Sequence, residues 1–495
     1  MDQALARAGY DRAITTPAVN RTNTGTSPEQ DLAFAGAARQ AELLRAREVG
    51  ARDLVSLYLE RIERIDRDLS AFRVTMGEQA LAEADRAQAR LDAGETGPLL
   101  GVPVAIKDEF DVAGQLNTLG TGTQDEAAEA DAEVVRRLRA AGAIPIGITK
   151  VPELTIWPFT ETETWGKTRN PWNPDRVPGG SSGGSGAAVA AGLAPVALGS
   201  DGAGSIRIPA AWCGIFGLKV QRGRISYMPL AEHWHGMSVP GPLARHVLDA
   251  ALFLDAVAGP APGDVTAPPA PAESFADAAR RTPRPLRIAM STKVPPMATA
   301  RVSAESRRAV EETADLLRSL GHDVRRHEPS FGMTGNNFVA RYMGGVRDDV
   351  LAVPHPDRME GRTRGFGRLG RLYAGGMARR ATRAAAADAD KINGSWSAFD
   401  VLVTPTVGET AVEVGRWGGK GTTRTLLGIS RTFCFTPIWN HTGQPAMALP
   451  AGYTARGMPR SVTLIGRPAD ESTLISLAAQ MEAERPWTDR RPAVS

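Results

Sequence analysis

Apolar residues near the start of the chain recur at the spacing of a helix. Over residues 51–66 they fall every three or four positions, which predicts a helix with one buried face; they are Leu54, Leu57, Tyr58, Ile62 and Ile65. Gly50 separates this helix from an earlier one, which we predict to begin within residues 27–30. Residues 1–26 lack this periodicity and predict an irregular N-terminal arm.

Short apolar runs then alternate with helical segments. Residues 99–106 predict a buried strand that ends at Lys107, residues 131–141 predict a helix, and residues 143–148 predict a second strand. A strand, a helix and a strand in this order indicate a βαβ unit. The pattern therefore predicts an α/β fold.

A run of small residues forms the next group of elements. Residues 183–193 predict a helix, residues 194–199 a short strand, and residues 200–205 a tight loop at the carboxyl end of that strand. Binding sites of α/β sheets favour that end of the strands. We therefore expect the functional site around this loop.

The second half of the chain continues the sheet after an interruption. Residues 259–285 are dense in proline and alanine, which predicts a connector rather than a core element. Beyond them we predict a strand at residues 286–290, a helix at residues 303–320 and a strand at residues 400–404. We therefore expect one catalytic domain over residues 27–495.

An arginine-rich stretch lies between the last two of these elements. Its arginines are Arg358, Arg362, Arg364, Arg368, Arg371, Arg379, Arg380 and Arg383. A charge run of this kind usually marks a solvated helix or a mobile lid. We favour that interpretation over an anion-binding patch.

Composition narrows the class of partner. The chain has 495 residues, and its 58 lysines and arginines exceed its 55 acidic residues by only three, so we expect neither nucleic acid nor a membrane as a partner. We predict no signal peptide and no membrane span. Cys213 and Cys434 are the only cysteines, which favours a reducing cytoplasm. A small-molecule substrate fits best.

Two serines stand within glycine-rich runs. Ser181 lies in the run 179–185 and Ser205 in the run 201–207. Glycine permits unusual backbone conformations, so such runs expose amide groups. At Ser205, the amides of Gly202, Ala203 and Gly204 are candidates for an oxyanion hole. The alternatives are a flexible linker around Ser181 and an ordinary turn at Ser205.

Lys107 is the candidate base for these serines. A serine hydroxyl needs an adjacent base, and a buried lysine can serve because burial favours its neutral form. The alternative interpretation is a lysine at a strand end that pairs with Asp108 or Glu109. Ser181, just before a predicted helix, is placed to relay a proton.

Taken together, these motifs resemble the amidase signature family from about residue 30 to residue 490. The segments that carry the resemblance are Gly101–Asp108, Thr168–Asn173, Gly179–Ser185, Asp201–Ala210, Gly214–Lys219 and Thr442–Ala446. The resemblance implies a large, mixed, twisted central sheet covered by helices on both faces. It also implies that no metal or organic cofactor takes part.

The resemblance assigns roles to individual residues. It implies that Ser205 is the nucleophile that forms an acyl-enzyme, that Ser181 bridges after a cis peptide bond to Gly180, and that Lys107 is the base. The resemblance also implies that Ser182, Asp201 and Arg207 support the nucleophile loop without reacting themselves. Two departures from the family pattern are Ala203, where glycine is usual, and the polar stretch 460–462.

Substrate identity rests on weaker signals. Trp157 lies in a segment that the family often places near the acyl pocket, and Cys434 and Trp439 lie among late aromatic residues. They favour an apolar or aromatic acyl group, or a cyclic or oligomeric amide, although packing in the core is the alternative for each. A homodimer is expected from the resemblance alone.

Other functions stay open at this point. The same serines would serve a glutamine-dependent amidotransferase subunit or a biosynthetic acyltransferase. A catalytically silent scaffold with the family fold is a further alternative, for which Ala203 is the only indication. The presence of Lys107, Ser181 and Ser205 argues against a silent protein.

Overall fold

The computed structural model describes residues 28–295, 300, 302–332 and 334–495. The arm predicted at residues 1–26 lies outside the described residues. The helices are α1 (Pro28–Ala33), α2 (Gly36–Arg45), α3 (Ala51–Leu69), α4 (Gly77–Asp92), α5 (Glu133–Ala140), α6 (Gly183–Ala190), α7 (Arg207–Cys213), α8 (Val247–Val257), α9 (Phe275–Arg280), α10 (Ala304–Ser319), α11 (Thr334–Ala352), α12 (Gly361–Gly370), α13 (Gly376–Ser395), α14 (Thr422–Thr432), α15 (Pro437–Thr442) and α16 (Glu471–Glu484). Short 3₁₀ turns lie at Glu153–Thr155 and Pro356–Arg358.

The strands form one large mixed sheet. They are β1 (Phe72–Thr75), β2 (Pro103–Lys107), β3 (Ile144–Thr149), β4 (Glu161–Thr162), β5 (Gly166–Lys167), β6 (Val196–Asp201), β7 (Phe216–Lys219), β8 (Val239–Ala244), β9 (Arg287–Met290), β10 (Asp323–Arg326), β11 (Val401–Pro405), β12 (Ala446–Tyr453) and β13 (Pro459–Ile465). Eleven of them pair in the order β1-β3-β2-β6-β8-β7-β12-β13-β11-β9-β10, and β4 pairs with β5 separately. The predicted α/β fold with a large mixed sheet is confirmed.

The strands β2 and β6 lie side by side in this sheet. β2 runs parallel to β3, with Lys107 opposite Thr149, and parallel to β6 on its other side. This confirms the predicted βαβ unit, which α5 completes. All residues of β2, β3 and β6 are buried, as expected for parallel strands with both faces covered. The carboxyl ends of β2 and β6 therefore lie next to each other.

Helix α3 packs against β2 and β3, and its predicted apolar side is the buried one. Its buried side includes Tyr58 and Ile62 from the predicted apolar stripe, while Leu57 is only half-buried. Arg61 lies on the same side, and its guanidinium donates to the carbonyl oxygens of Ala191 and Gly192 at 3.1 and 2.8 Å. A buried charge is tolerated there because it is hydrogen-bonded.

Some boundaries differ from the prediction. The strand expected from residue 99 begins at Pro103, after a turn. The strand expected to end at residue 199 extends to Asp201, because the ladder with the antiparallel strand β8 continues until Asp201 lies opposite Val239. The predicted tight loop therefore begins at Gly202 rather than at Ser200.

The proline- and alanine-rich segment 259–285 is more than a connector. It contains α9, where Phe275 and Ala278 are buried against the core. The Asp255 carboxylate accepts hydrogen bonds from the amides of Phe275 and Ala276 at 2.7 and 2.9 Å. The prediction was wrong for this helix, since composition hides a six-residue element whose stability comes from tertiary contacts.

The polar departure at residues 460–462 falls within β13. Arg460 donates to the Glu312 carboxylate of α10 at 2.7 Å, and the Ser461 hydroxyl donates to the carbonyl of Leu449 at 2.9 Å. These partners satisfy polar side chains at positions where the family pattern is usually apolar.

The arginine-rich stretch forms α12 and the start of α13. Arg368, Arg371, Arg379, Arg380 and Arg383 are exposed. Arg358 instead pairs with Asp125 at 2.9 Å, and Arg362 pairs with Glu360 at 2.5 Å. Phe366, on the inner side of α12, is completely buried. Within the described part of the chain, no helix combines the length and apolar character needed to cross a membrane.

Candidate active site

The three residues expected to carry the chemistry meet at the carboxyl ends of β2 and β6. Lys107 is the last residue of β2, Ser181 precedes α6, and Ser205 lies in the loop between β6 and α7. The Lys107 amine lies 2.8 Å from the Ser181 hydroxyl, and both side chains are buried. The Ser182 amide donates to the Ser205 carbonyl at 3.1 Å and so ties the two serine segments together.

The backbone around Ser181 is tightly enclosed. The peptide bond between Gly180 and Ser181 is cis, the arrangement that the resemblance implies. A Cβ atom at Gly180 would come within 2.6 Å of the Phe159 nitrogen and 2.7 Å of the Trp157 oxygen. Only glycine fits this close approach of two backbone segments. Trp157 and Phe159 thus fix the segment that presents Ser181.

A buried ion pair holds the nucleophile loop. Arg207 contacts the Asp201 carboxylate twice, at 2.8 and 2.9 Å, and the Asn440 amide donates to the same carboxylate at 2.9 Å. Burial acts to raise the pKa of Asp201, but the Arg207 cation holds it below its ordinary value. The Asp201 carboxylate is therefore a permanent hydrogen-bond acceptor for the loop.

The three expected oxyanion donors are not equivalent. The Gly204 amide donates to Asp201 at 2.7 Å and is already engaged. Among the hydrogen bonds of the described residues, none engages the amides of Gly202 or Ala203. Ala203 does not have a positive φ, so its methyl group fits the loop without backbone strain. Its carbonyl accepts from the Thr436 hydroxyl at 2.7 Å.

Lys107 has two further partners that the sequence analysis did not assign to the site. Its amine lies 2.7 Å from Glu109 Oε2 and 2.6 Å from the Ser200 hydroxyl. The Ser200 hydroxyl donates to the same Glu109 oxygen at 2.5 Å. The pairing of Lys107 with Glu109, considered above as an alternative to a catalytic role, therefore coexists with the contact to Ser181.

The network continues beyond Glu109. The Tyr227 hydroxyl donates to Glu109 Oε1 and lies 3.3 Å from His233 Nδ1. His233 Nε2 lies 3.2 Å from the Asp349 carboxylate, which also accepts from the Trp234 indole at 2.6 Å. Glu109 and Asp349 each lie more than a hundred positions from the Tyr227–Trp234 segment, so only the fold brings them together.

Opposing effects act on the charges of this network. Burial lowers the pKa of Lys107, and the Glu109 carboxylate opposes this by stabilising the ammonium form. Burial acts to raise the pKa of Glu109, but the Lys107 and His233 cations hold it below its ordinary value. Burial acts to lower the pKa of His233, but the Asp349 carboxylate raises it above its ordinary value.

An apolar cavity of about 410 Å³ opens beside Ser205. None of the described residues that line it is charged. Its large side chains are Trp157, Trp234, Phe338, Tyr342, Met343, Leu369, Tyr373, Leu426, Leu427 and Phe433. Trp157, one of the three expected substrate contacts, therefore lies in the cavity wall.

Cys434 and Trp439 lie outside that wall. Trp439 packs with Phe331, Trp396 and Leu402 in a separate apolar cluster. Cys434 packs with Val302, and burial raises the pKa of its thiol to about 12. The structure thus places these two expected substrate contacts in packing clusters. The nearby Phe433 and Pro437 line the cavity instead.

Across the described ranges, no group of three or more histidine, cysteine, aspartate or glutamate side chains is arranged to hold a metal ion.

Comparisons with known proteins agree with this geometry. The Amidase family model matches residues 53–475. A Mycobacterium tuberculosis (strain ATCC 25618 / H37Rv) protein named "Putative amidase AmiB2" is 50% identical over 466 residues, which cover 94% of this chain and 99% of that protein. The 6-aminohexanoate-cyclic-dimer hydrolase of Pseudomonas sp. (strain NK87) is 36% identical over 484 residues, with coverage of 92% and 96%.

The fold comparison points the same way. A solved structure of 6-aminohexanoate cyclic dimer hydrolase in complex with its substrate superposes with a TM-score of 0.85 at 32% identity, covering 93% of this chain and 99% of that one. The superposition therefore extends over nearly the whole α/β fold. The chain therefore belongs to the amidase signature family, and it is an enzyme that hydrolyses amide bonds.

Proposed function

We propose that the enzyme acts through an acyl-enzyme on Ser205, with Ser181 and Lys107 as the proton relay. The observation that carries this proposal is the 2.8 Å contact between the buried Lys107 amine and the Ser181 hydroxyl beside the nucleophile loop. A neutral lysine accepts the Ser181 proton while Ser181 takes the proton of Ser205, and Ser205 attacks the amide carbonyl. The amine product leaves with the returned proton, and water releases the acid.

The amides of Gly202 and Ala203 are the proposed oxyanion donors. Both remain without a partner among the described residues, and both lie within three residues of Ser205. Donors fixed in advance stabilise the negative charge that develops on the carbonyl oxygen. The Gly204 amide has a different role, since its bond to Asp201 holds the loop in shape.

The substrate we propose is an uncharged amide with an apolar or aromatic acyl part, including cyclic or oligomeric amides. The uncharged wall of the 410 Å³ cavity supports this choice, because a charged group would lose its hydration there without gaining a partner. The likeness to the cyclic-dimer hydrolases supports the cyclic or oligomeric class.

The same cavity disfavours the amidotransferase alternative. Glutamine carries an ammonium and a carboxylate group, and the described cavity wall offers neither an acidic nor a basic side chain to pair with them. Acyl transfer to an added amine stays open and would show as an amide product in place of the acid.

We make three further proposals, on the cellular location, the oligomeric state and the domain organisation of the enzyme. We propose a cytoplasmic enzyme, because both cysteines are free and buried thiols. A homodimer is proposed from the family resemblance. A single catalytic domain over residues 27–495 is supported by strands from Phe72 to Ile465 in one sheet.

Covalent labelling tests the proposed mechanism. An alkyl fluorophosphonate should add once to the protein, on Ser205, as read by intact and peptide mass spectrometry. Ser205→Ala should abolish the adduct, and Lys107→Ala should slow labelling at neutral pH by roughly a hundredfold or more because the base is lost.

Ser430→Ala is the matched control, since Ser430 lines the same cavity without belonging to the relay. It should label at the wild-type rate. An adduct that persists in Ser205→Ala, or a folded wild type that does not label, would contradict the proposal.

A further inference from the structure

A second cavity lies behind the catalytic lysine. It has a volume of about 280 Å³ and is lined by Glu109, Tyr227, His233 and Asp349 among others. Leu230, which also lines it, is 51% exposed, so the cavity reaches the protein surface. Unlike the apolar cavity at Ser205, its wall carries acidic groups and a histidine.

The lysine lies between these two cavities without lining either. Lys107 is completely buried, whereas its partner Glu109 faces the second cavity. On the other side, the apolar cavity reaches Ser205. Trp234 belongs to the partition: its ring faces the apolar cavity, and its indole nitrogen donates at 2.6 Å to Asp349, which lines the second one.

We propose that Glu109 and His233 are positioning residues that connect Lys107 to the second cavity and set the pH at which the lysine becomes a base. This inference rests on the proposed function. Glu109 is the nearest carboxylate to the Lys107 amine, with 2.7 Å between Nζ and Oε2. A carboxylate at that distance favours the ammonium form, which has no lone pair to accept a proton.

The ammonium form of Lys107 must therefore lose one proton before the lysine can act as the base. In the relay, the Lys107 ammonium gives its proton to the Glu109 carboxylate, leaving an amine and a carboxyl group. The carboxyl group passes that proton through the Tyr227 hydroxyl to neutral His233, and the imidazolium releases it to water in the cavity. The contacts are 3.3 Å from Tyr227 to His233 and 3.5 Å from Glu109 to His233.

Two further carboxylates act on the charges of Lys107 and His233. Asp201, at the end of β6, also stabilises the Lys107 ammonium. Asp349, on α11, contacts His233 at 3.2 Å and favours its imidazolium form. The imidazolium repels the Lys107 ammonium, so His233 and Glu109 act on the lysine in opposite directions.

The test uses the pH dependence of Ser205 labelling by an alkyl fluorophosphonate. Glu109→Gln keeps the shape of the side chain and removes its charge, so the midpoint of the acidic limb should fall by about one pH unit or more. Below the wild-type midpoint this variant should label about tenfold faster relative to its own plateau. Asp111→Asn is the matched control, because Asp111 lines the same cavity and does not contact Lys107; its midpoint should stay at the wild-type value.

His233→Gln supplies the second variant and remains informative if Glu109→Gln does not fold. Loss of the imidazolium should move the midpoint to higher pH, opposite to the first variant. A folded Glu109→Gln with an unmoved midpoint would overturn the inference, as would an unmoved midpoint in His233→Gln. Absence of labelling in the wild type at every pH would instead overturn the proposed function itself.

Discussion

At the scale of single residues, the nucleophile loop requires glycine at position 204, because there is no room for a Cβ atom there. Gly204 has a φ of +125°, and a Cβ atom there would lie 2.3 Å from the Thr436 hydroxyl oxygen. The same Thr436 hydroxyl donates to the Ala203 carbonyl. A side chain at Gly204 would therefore displace the contact that holds the oxyanion segment.

We predict that Gly204→Ala lowers the rate of Ser205 labelling by roughly a hundredfold, because loss of oxyanion geometry costs about that much. Rates of fluorophosphonate labelling measure the effect. Ala203→Gly, which restores the residue usual in the family, is the control and should stay within a few-fold of wild type. Equal rates for the two variants would show that the loop tolerates a shift at Gly204.

The sequence predicted the residues of this site that stand in unusual local composition. Ser181 and Ser205 lie in glycine runs, and Lys107 ends an apolar strand. Glu109 was visible only as a neighbour of Lys107. Nothing local marks Tyr227 or His233, since their contact with Glu109 bridges more than a hundred positions. Long-range contacts of this kind depend on the fold rather than on a motif.

At the scale of elements, a buried carboxyl group whose charge responds to pH lies next to the segment that supplies Trp157 to the apolar cavity wall. Glu153 accepts hydrogen bonds from the Glu360 amide, just before α12, at 3.0 Å. Burial raises the pKa of Glu153 to about 7, and the nearby Glu360 carboxylate adds to the effect. Trp157 lies a few residues further along, so the group adjoins the cavity wall.

The sign of the pH effect follows from this shift. A carboxyl group whose pKa is higher in the folded state favours folding while it is protonated. Its contribution is fully present below the pKa of the unfolded chain, near 4.5, and is lost as pH rises to about 7. The loss is on the order of 1–3 kcal/mol over that window.

We predict that Glu153→Gln removes this part of the pH dependence and stabilises the protein at pH 8 relative to wild type. Urea denaturation at pH 5 and pH 8 measures the change in the free energy of unfolding. Glu163→Gln, which alters an exposed glutamate in the same segment, is the control. An identical decline from pH 5 to pH 8 in wild type and Glu153→Gln would contradict the prediction.

Element prediction failed where tertiary contacts outweigh composition. The predictions of α3 and α10 were correct, because a long amphipathic helix repeats its apolar pattern several times. The short helix α9 repeats its pattern less than twice and lies within a proline-rich segment. The register of β6 was set by its pairing with β8, which no local pattern contains.

At the scale of the whole molecule, contacts join the two ends of the described chain. Arg491 pairs with Asp31 at 2.9 Å, and its guanidinium lies 4.6 Å from the centre of the Phe34 ring. The Trp487 indole donates to the Arg245 carbonyl at 2.9 Å. These contacts tie the first helix and the last residues to the middle of the sheet.

We therefore predict one cooperative unfolding transition, in agreement with a single catalytic domain. Tryptophan fluorescence and far-ultraviolet circular dichroism should give the same urea midpoint. Removal of residues 486–495 should lower that midpoint in both signals together. Two separated transitions in the intact chain would instead indicate independent units.

The convergence of β2 and β6 has a consequence for how such an enzyme can diversify. Base and nucleophile arise from hydrogen-bonded neighbouring strands, whose spacing of about 4.8 Å is a property of the backbone. Much of the cavity wall instead comes from α11 and α14, which lie outside the sheet. We expect that exchanging side chains on these helices alters which amides are accepted. The spacing of the strands that lead to Lys107 and Ser205 does not change with those exchanges.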